Sequence, residues 1–212
     1  MYQTPLEKAQ KSFAEAASGA FRGRDSFCKI LDAISNLRCA GYNPESDKAY
    51  AIVGTTKQEL QSLLQSRYRQ AARENYQDST DENFKGSGRT ILEALSDLHL
   101  APVYMEWGGL NPQLEESWEK CGIDHNDYLA TYNARRIDEA ARIWNLVKDP
   151  ARKPASNIIA LENTLTLLKE AGLDVTQEET YLRIGTTKQD FQNFTMQQKR
   201  PASGYVRNLI YT

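Results

Sequence analysis

Two eight-residue stretches lying 131 residues apart almost coincide: Val53-Gly54-Thr55-Thr56-Lys57-Gln58-Glu59-Leu60 and Ile184-Gly185-Thr186-Thr187-Lys188-Gln189-Asp190-Phe191. Such a repeat limits the fold strongly, because both copies must form the same supersecondary unit. The match extends backwards without a gap, pairing Tyr50 with Tyr181, Gly41 with Gly172, Ala40 with Ala171 and Leu37 with Leu168. A weaker third copy lies between them, where Ile91–Leu98 echoes Ile30–Leu37. It continues to Cys121-Gly122-Ile123 through a Pro- and Gly-containing loop expected over Ala101–Pro112.

Each copy opens on an amphipathic helix, since Ile30, Ile34 and Leu37, then Ile91, Leu95 and Leu98, then Leu161, Leu165 and Leu168 recur at i, i+4, i+7. Gly41 and Gly172 stop the outer two, glycine being the residue that enters the left-handed region without a Cβ clash. A short helix follows (46–53; 177–184), then a second glycine and a third helix. Thr56 with Glu59, and Thr187 with Asp190, have the spacing of a capping box at its start.

Helix, glycine-containing turn and helix is the order that presents a second helix to the major groove of DNA. Here the chain resembles helix-turn-helix DNA-binding proteins: Ala49 and Val53 precede Gly54, with Leu60 and Leu63 following, and Thr180 and Ile184 precede Gly185, with Phe191 and Phe194 following. One departure is shared. The family places a small residue four before the glycine, where this chain has Tyr50, Trp118 and Tyr181. The resemblance implies an all-α fold with two helix-turn-helix modules at the ends of a central antiparallel helical region, an internal pseudo-dimer.

In this reading Thr55, Thr56, Lys57, Gln58 and Gln61, matched by Thr186, Thr187, Lys188, Gln189 and Gln192 with Asn193 beside them, form the exposed start of each reading helix. Glutamine pairs with adenine, lysine reaches guanine acceptors, and hydroxyls at a helix start hold phosphate. Arg67, Arg69 and Arg73 after the first reader, and Lys199 and Arg200 after the second, are candidate phosphate contacts, with a solvated helix face as the alternative. In the central copy Asp124, His125 and Asn126 hold the reading positions, and a carboxylate there would face phosphates, so that copy reads as structural.

The expected organisation is a docking helix (1–24), an N-terminal helix-turn-helix module (25–76), a linker and central helical region with the degenerate third copy (77–150), a C-terminal module (151–200) and a tail of strand-like composition (201–212). The overall plan resembles the accessory factors of conjugative plasmid transfer that have an internal dimer fold. That resemblance implies origin-of-transfer DNA with two similar sub-sites and a relaxase or other DNA-processing protein as partners. A transcriptional regulator would carry the same residues. The formal net charge of −2, from 26 basic and 28 acidic residues, weighs mildly against nucleic acid. It supports the alternative of a helical repeat scaffold that binds another protein. Two histidines, His99 and His125, with no phosphate-binding glycine loop and no nucleophile signature, suggest no enzyme and no cofactor. Cys28, Cys39 and Cys121 match no zinc or redox spacing, so no metal is expected. Without an apolar run long enough for a membrane, a cytoplasmic location is expected.

Overall fold

The computed structural model describes residues 3–80, 90–149, 151 and 154–199. Within them the protein is all-helical: α1 (Pro5–Ala17), α2 (Gly23–Cys39), α3 (Asp47–Ala51), α4 (Lys57–Thr80), α5 (Ile91–Trp107), α6 (Glu115–Lys120), α7 (His125–Val147), α8 (Pro154–Glu170), α9 (Glu178–Leu182) and α10 (Lys188–Lys199). None of these helices is long and apolar enough to cross a membrane. The linker expected to begin at Gln77 is helical as far as Thr80; residues 81–89 lie outside the described residues, as do Arg200 and the 201–212 tail.

Local sequence accounts for the helix starts. Thr4 caps α1 in a reciprocal box with Glu7, and Thr90 does the same for α5 with Glu93. Thr56 and Glu59 complete such a box at α4: Glu59 N–H donates to Thr56 Oγ1 at 3.1 Å, and Thr56 N–H to Glu59 Oε2 at 2.9 Å. At α10 the hydroxyl half is present, Asp190 N–H to Thr187 Oγ1 at 3.0 Å. The next N–H, that of Lys188, donates to the Glu178 carboxylate.

The central segment is a complete copy, in a register different from the one expected. Left-handed glycines stand thirteen residues apart three times, at Gly41 and Gly54, Gly109 and Gly122, and Gly172 and Gly185. Helix α5 therefore runs through Ala101 and Pro102 to Trp107, where the sequence suggested a loop, and Ile30 corresponds to Leu98 rather than Ile91. Pro102 sits inside α5 and has no N–H for the Leu98 carbonyl. The hydroxyl of Tyr128 donates to that carbonyl at 3.0 Å, buried.

A fourth element belongs to each copy: a leading helix ahead of the first. In α1, in the second half of α4 and in the second half of α7 the pattern is alanine, an aromatic four residues on and a small residue three further: Ala9-Phe13-Ala16, Ala72-Tyr76-Ser79, Ala140-Trp144-Val147. The alanines and the third residues are buried in all three. The aromatics reach the first turn of the third helix, with ring centroids 6.4 Å apart for Tyr76 and Tyr128 and 5.1 Å for Trp144 and Phe191. Phe13 packs on the cluster that holds Leu60.

The chain divides into two compact units, Met1–Tyr128 and Leu129–Thr212, and the boundary falls within α7. The first unit has a core of Ala9, Ala16, Ile30, Leu37, Tyr50, Val53 and Leu60. Burying side chains of this size contributes about 1.5–3 kcal/mol each for the larger ones. The second unit centres on Ala140, Trp144, Val147, Leu161, Leu168, Tyr181, Ile184 and Phe191.

Candidate functional site

The glycine-to-glycine segment is built identically in all three copies. Past the first glycine, an Asx side chain accepts a backbone N–H two residues on: Asn43 from Glu45 at 3.0 Å, Asn111 from Gln113 at 3.0 Å and Asp174 from Thr176 at 2.8 Å. The short helix follows, carrying the aromatic four before the second glycine. Each aromatic points inward and donates to the carbonyl six residues earlier: Tyr50 to Pro44 at 2.5 Å, Trp118 to Pro112 at 2.8 Å and Tyr181 to Val175 at 2.8 Å. An aromatic stands at this position because its polar end pins the loop while its ring fills the core. Burial raises the Tyr50 and Tyr181 phenols above their ordinary range.

The duplicated polar residues largely serve this construction. Thr55 is buried, and its hydroxyl contacts Thr56 O at 3.4 Å and Glu59 Oε2 at 3.2 Å; that of Thr186 contacts Thr187 O at 3.4 Å. Thr56 and Thr187 cap helices. Lys57 Nζ reaches Glu45 at 2.7 Å and Lys188 Nζ reaches the Thr176 carbonyl at 2.6 Å. Glu45 and Thr176 occupy equivalent places, so each lysine clamps the loop ahead of its short helix. The Lys57 hydrogen bond and charge hold the Glu45 carboxyl below the ordinary glutamate range, and Glu45 raises Lys57 in return. In the central copy Asp124 Oδ1 caps with Asp127 N–H at 2.9 Å, and His125, in the lysine's place, stacks on Trp118 with centroids 4.8 Å apart.

The arginines hold helix ends. Arg67 donates to Ala16 O at 2.9 Å, Arg69 to Gly108 O at 2.9 Å and Arg73 to Cys121 O at 2.5 Å, each at or beside a helix C-terminus whose carbonyls lack intrahelical partners. Arg136 of α7 does the same for Glu170 O at 2.8 Å. Gln58, Gln61, Gln192 and Lys199 are exposed, while Gln189 Nε2 donates to Asn193 Oδ1 at 2.9 Å.

Sequence reasoning missed a groove in the second unit, about 580 Å³, lined by Trp144, Lys148, Leu182, Gly185, Thr187, Asp190 and Phe194 among others. Trp144 is 3 % exposed, and its buried indole N–H has no hydrogen-bond partner among the described residues. Lys148 Nζ lies 5.1 Å from the indole centroid. The legible signal would have been alanine at position 141, where the aligned leading helices carry Gln10 and Arg73. Among the described residues no group of three or more His, Cys, Asp or Glu side chains converges to hold a metal ion. No family model, curated protein or solved structure matches the chain.

Proposed function

We propose that the protein is a helical repeat scaffold that binds another protein. The observation that carries this reading is the threefold recurrence of one unit with identical glycine spacing and the same loop-pinning hydrogen bonds. Recurrent units of this kind stack their construction residues inward and leave variable surface for partners. The polar residues that suggested duplicated DNA readers have construction roles: the threonines cap, the lysines clamp and the arginines satisfy helix ends. Carboxylates also stand at the starts of the third helices: Glu45, Asp47 and Glu59 in the first copy, Asp174, Glu178 and Asp190 in the last. Phosphate binding draws on the opposite balance.

One observation favours a second reading, duplex DNA bound through helix-turn-helix readers. Gln58, Asn126 and Gln189 place an exposed carboxamide at the second residue of the third helix in every copy, and Gln61 and Gln192 repeat one turn on. A role at a transfer origin beside a relaxase, or at a promoter, would follow from that reading alone.

Selection from a random duplex library at low and at physiological salt tests the choice. A scaffold enriches no sequence, and Lys57→Ala with Lys188→Ala changes stability without changing retention of duplex. Enrichment of two related sub-sites, lost in that double variant, overturns the scaffold reading.

A further inference from the structure

The three copies differ at one place that bears on binding, and the chain itself displays what fits there. In the first copy the leading helix sends Gln10 Nε2 to the Ile52 carbonyl, at the end of the short helix, at 3.1 Å. In the second, Arg73 takes the aligned position. Its Nε donates to Cys121 O at 2.5 Å, and its guanidinium lies across Gly122, so that Nη2 and Cζ would stand 2.5 and 2.9 Å from a Cβ there. The third copy has Ala141 instead, which cannot reach. Gly185, the counterpart of Gly122, has no described atom within 4 Å of a Cβ position, as is also true of Gly54 in the first copy, and it lines the groove.

The groove carries the other complements of an arginine. Asp190 supplies a carboxylate at its wall. Leu182 and Phe194 offer apolar surface to an aliphatic stem, and guanidinium groups stack well on aromatic rings. Lys148 opposes a cationic guest from the groove's edge.

We propose that this groove is an arginine-accepting subsite for a protein partner, in which a guanidinium from the partner lies over Gly185 as Arg73 lies over Gly122. The proposal rests on the scaffold reading and names the partner's anchoring side chain.

The test uses the full chain and N-acetyl-arginine methylamide as probe, with N-acetyl-citrulline methylamide as its uncharged isostere, followed by the NMR resonances of the Gly185 and Thr186 amides and the Trp144 indole. Saturable shifts are expected with the arginine probe in the millimolar range, where a single side chain contributes about 4 kcal/mol of binding. Lys148→Ala tightens the probe several-fold by removing the like charge. Ala141→Arg supplies the guanidinium from within, removes the response and raises the melting temperature. Absence of saturable shifts, an equal response to citrulline, or a response unchanged in Ala141→Arg overturns the subsite. Those outcomes leave the scaffold reading standing, whereas enrichment in the duplex selection removes the scaffold reading whatever the probe does.

Discussion

Pro102 and Tyr128 make a coupled pair whose energetics can be measured. Proline within α5 deprives the Leu98 carbonyl of its helical donor, and the Tyr128 hydroxyl replaces that donor at 3.0 Å in a buried setting. The first and third copies have neither half of the arrangement: Ile34 and Leu165 stand at the proline position, Leu60 and Phe191 at the tyrosine position. Tyr128→Phe preserves ring packing against Trp118, whose centroid is 4.3 Å away, and removes only the hydroxyl. Leaving a buried carbonyl unpaired costs about 1–3 kcal/mol. With Pro102→Ala the amide of residue 102 becomes available to Leu98, and the same Tyr128→Phe change then costs less than about 0.5 kcal/mol. The coupling in the double-mutant cycle is therefore about 0.5–3 kcal/mol, the range found for residues in direct contact. Urea unfolding of the four proteins by circular dichroism gives it, provided their denaturant slopes agree. Equal cost of Tyr128→Phe in both backgrounds would refute the account of how α5 accommodates its proline.

The Asx turns predict a pH effect in the third copy. Hydrogen bonds from the Thr176 backbone, then from the Thr176 and Gln177 side chains, hold the Asp174 carboxyl below the ordinary aspartate range. A depressed folded-state value means that its contribution is present above the unfolded value, about 3.9, and is lost as pH falls through the folded one. Asp174→Asn, the residue type already used at Asn43 and Asn111, keeps the acceptor without the titration. Its stability should lie below wild type at pH 7, by the charge-dependent part of the turn, and decline less below about pH 4 in acid unfolding curves; a decline with falling pH as steep as that of wild type would contradict the account. Gly23→Ala tests the close approach of α2 to α4. An added Cβ would meet the backbone of Ala71, Arg67 and Gln70 at distances no real Cβ shows. The helices must separate, at a cost of about 1–3 kcal/mol read from chemical denaturation, and a neutral substitution would show that they do not pack there.

The outer copies are legible in sequence because they align without a gap over the residues that set turns and caps. The central copy is harder to place, for a physical reason: sliding a helix by seven residues, nearly two full turns, returns almost the same apolar face. Ile91–Leu98 therefore mimics Ile30–Leu37 one heptad out of register. The rigid marker is the turn, Asn43-Pro44 against Asn111-Pro112, since an Asx acceptor and a left-handed glycine tolerate no slip. The leading-helix pattern escapes notice because in α4 and α7 it is embedded in the second half of a longer helix.

The polar repeat carries the broader lesson about reading function from duplication. Exposed residues retained in two copies suggest a shared ligand only if the fold makes no demand on them. Here it does: the start of a helix needs a hydroxyl acceptor, its end needs donors for orphan carbonyls, and the loop before a five-residue helix needs a clamp, all of which polar side chains provide at the surface. Binding is then better sought where the copies diverge while their surroundings stay the same. Position 141 fits that criterion, because alanine stands there where the second copy lays Arg73 across Gly122, while the turn around Gly185 stays intact. The guanidinium that the second copy supplies from within is, in the third, left to come from outside.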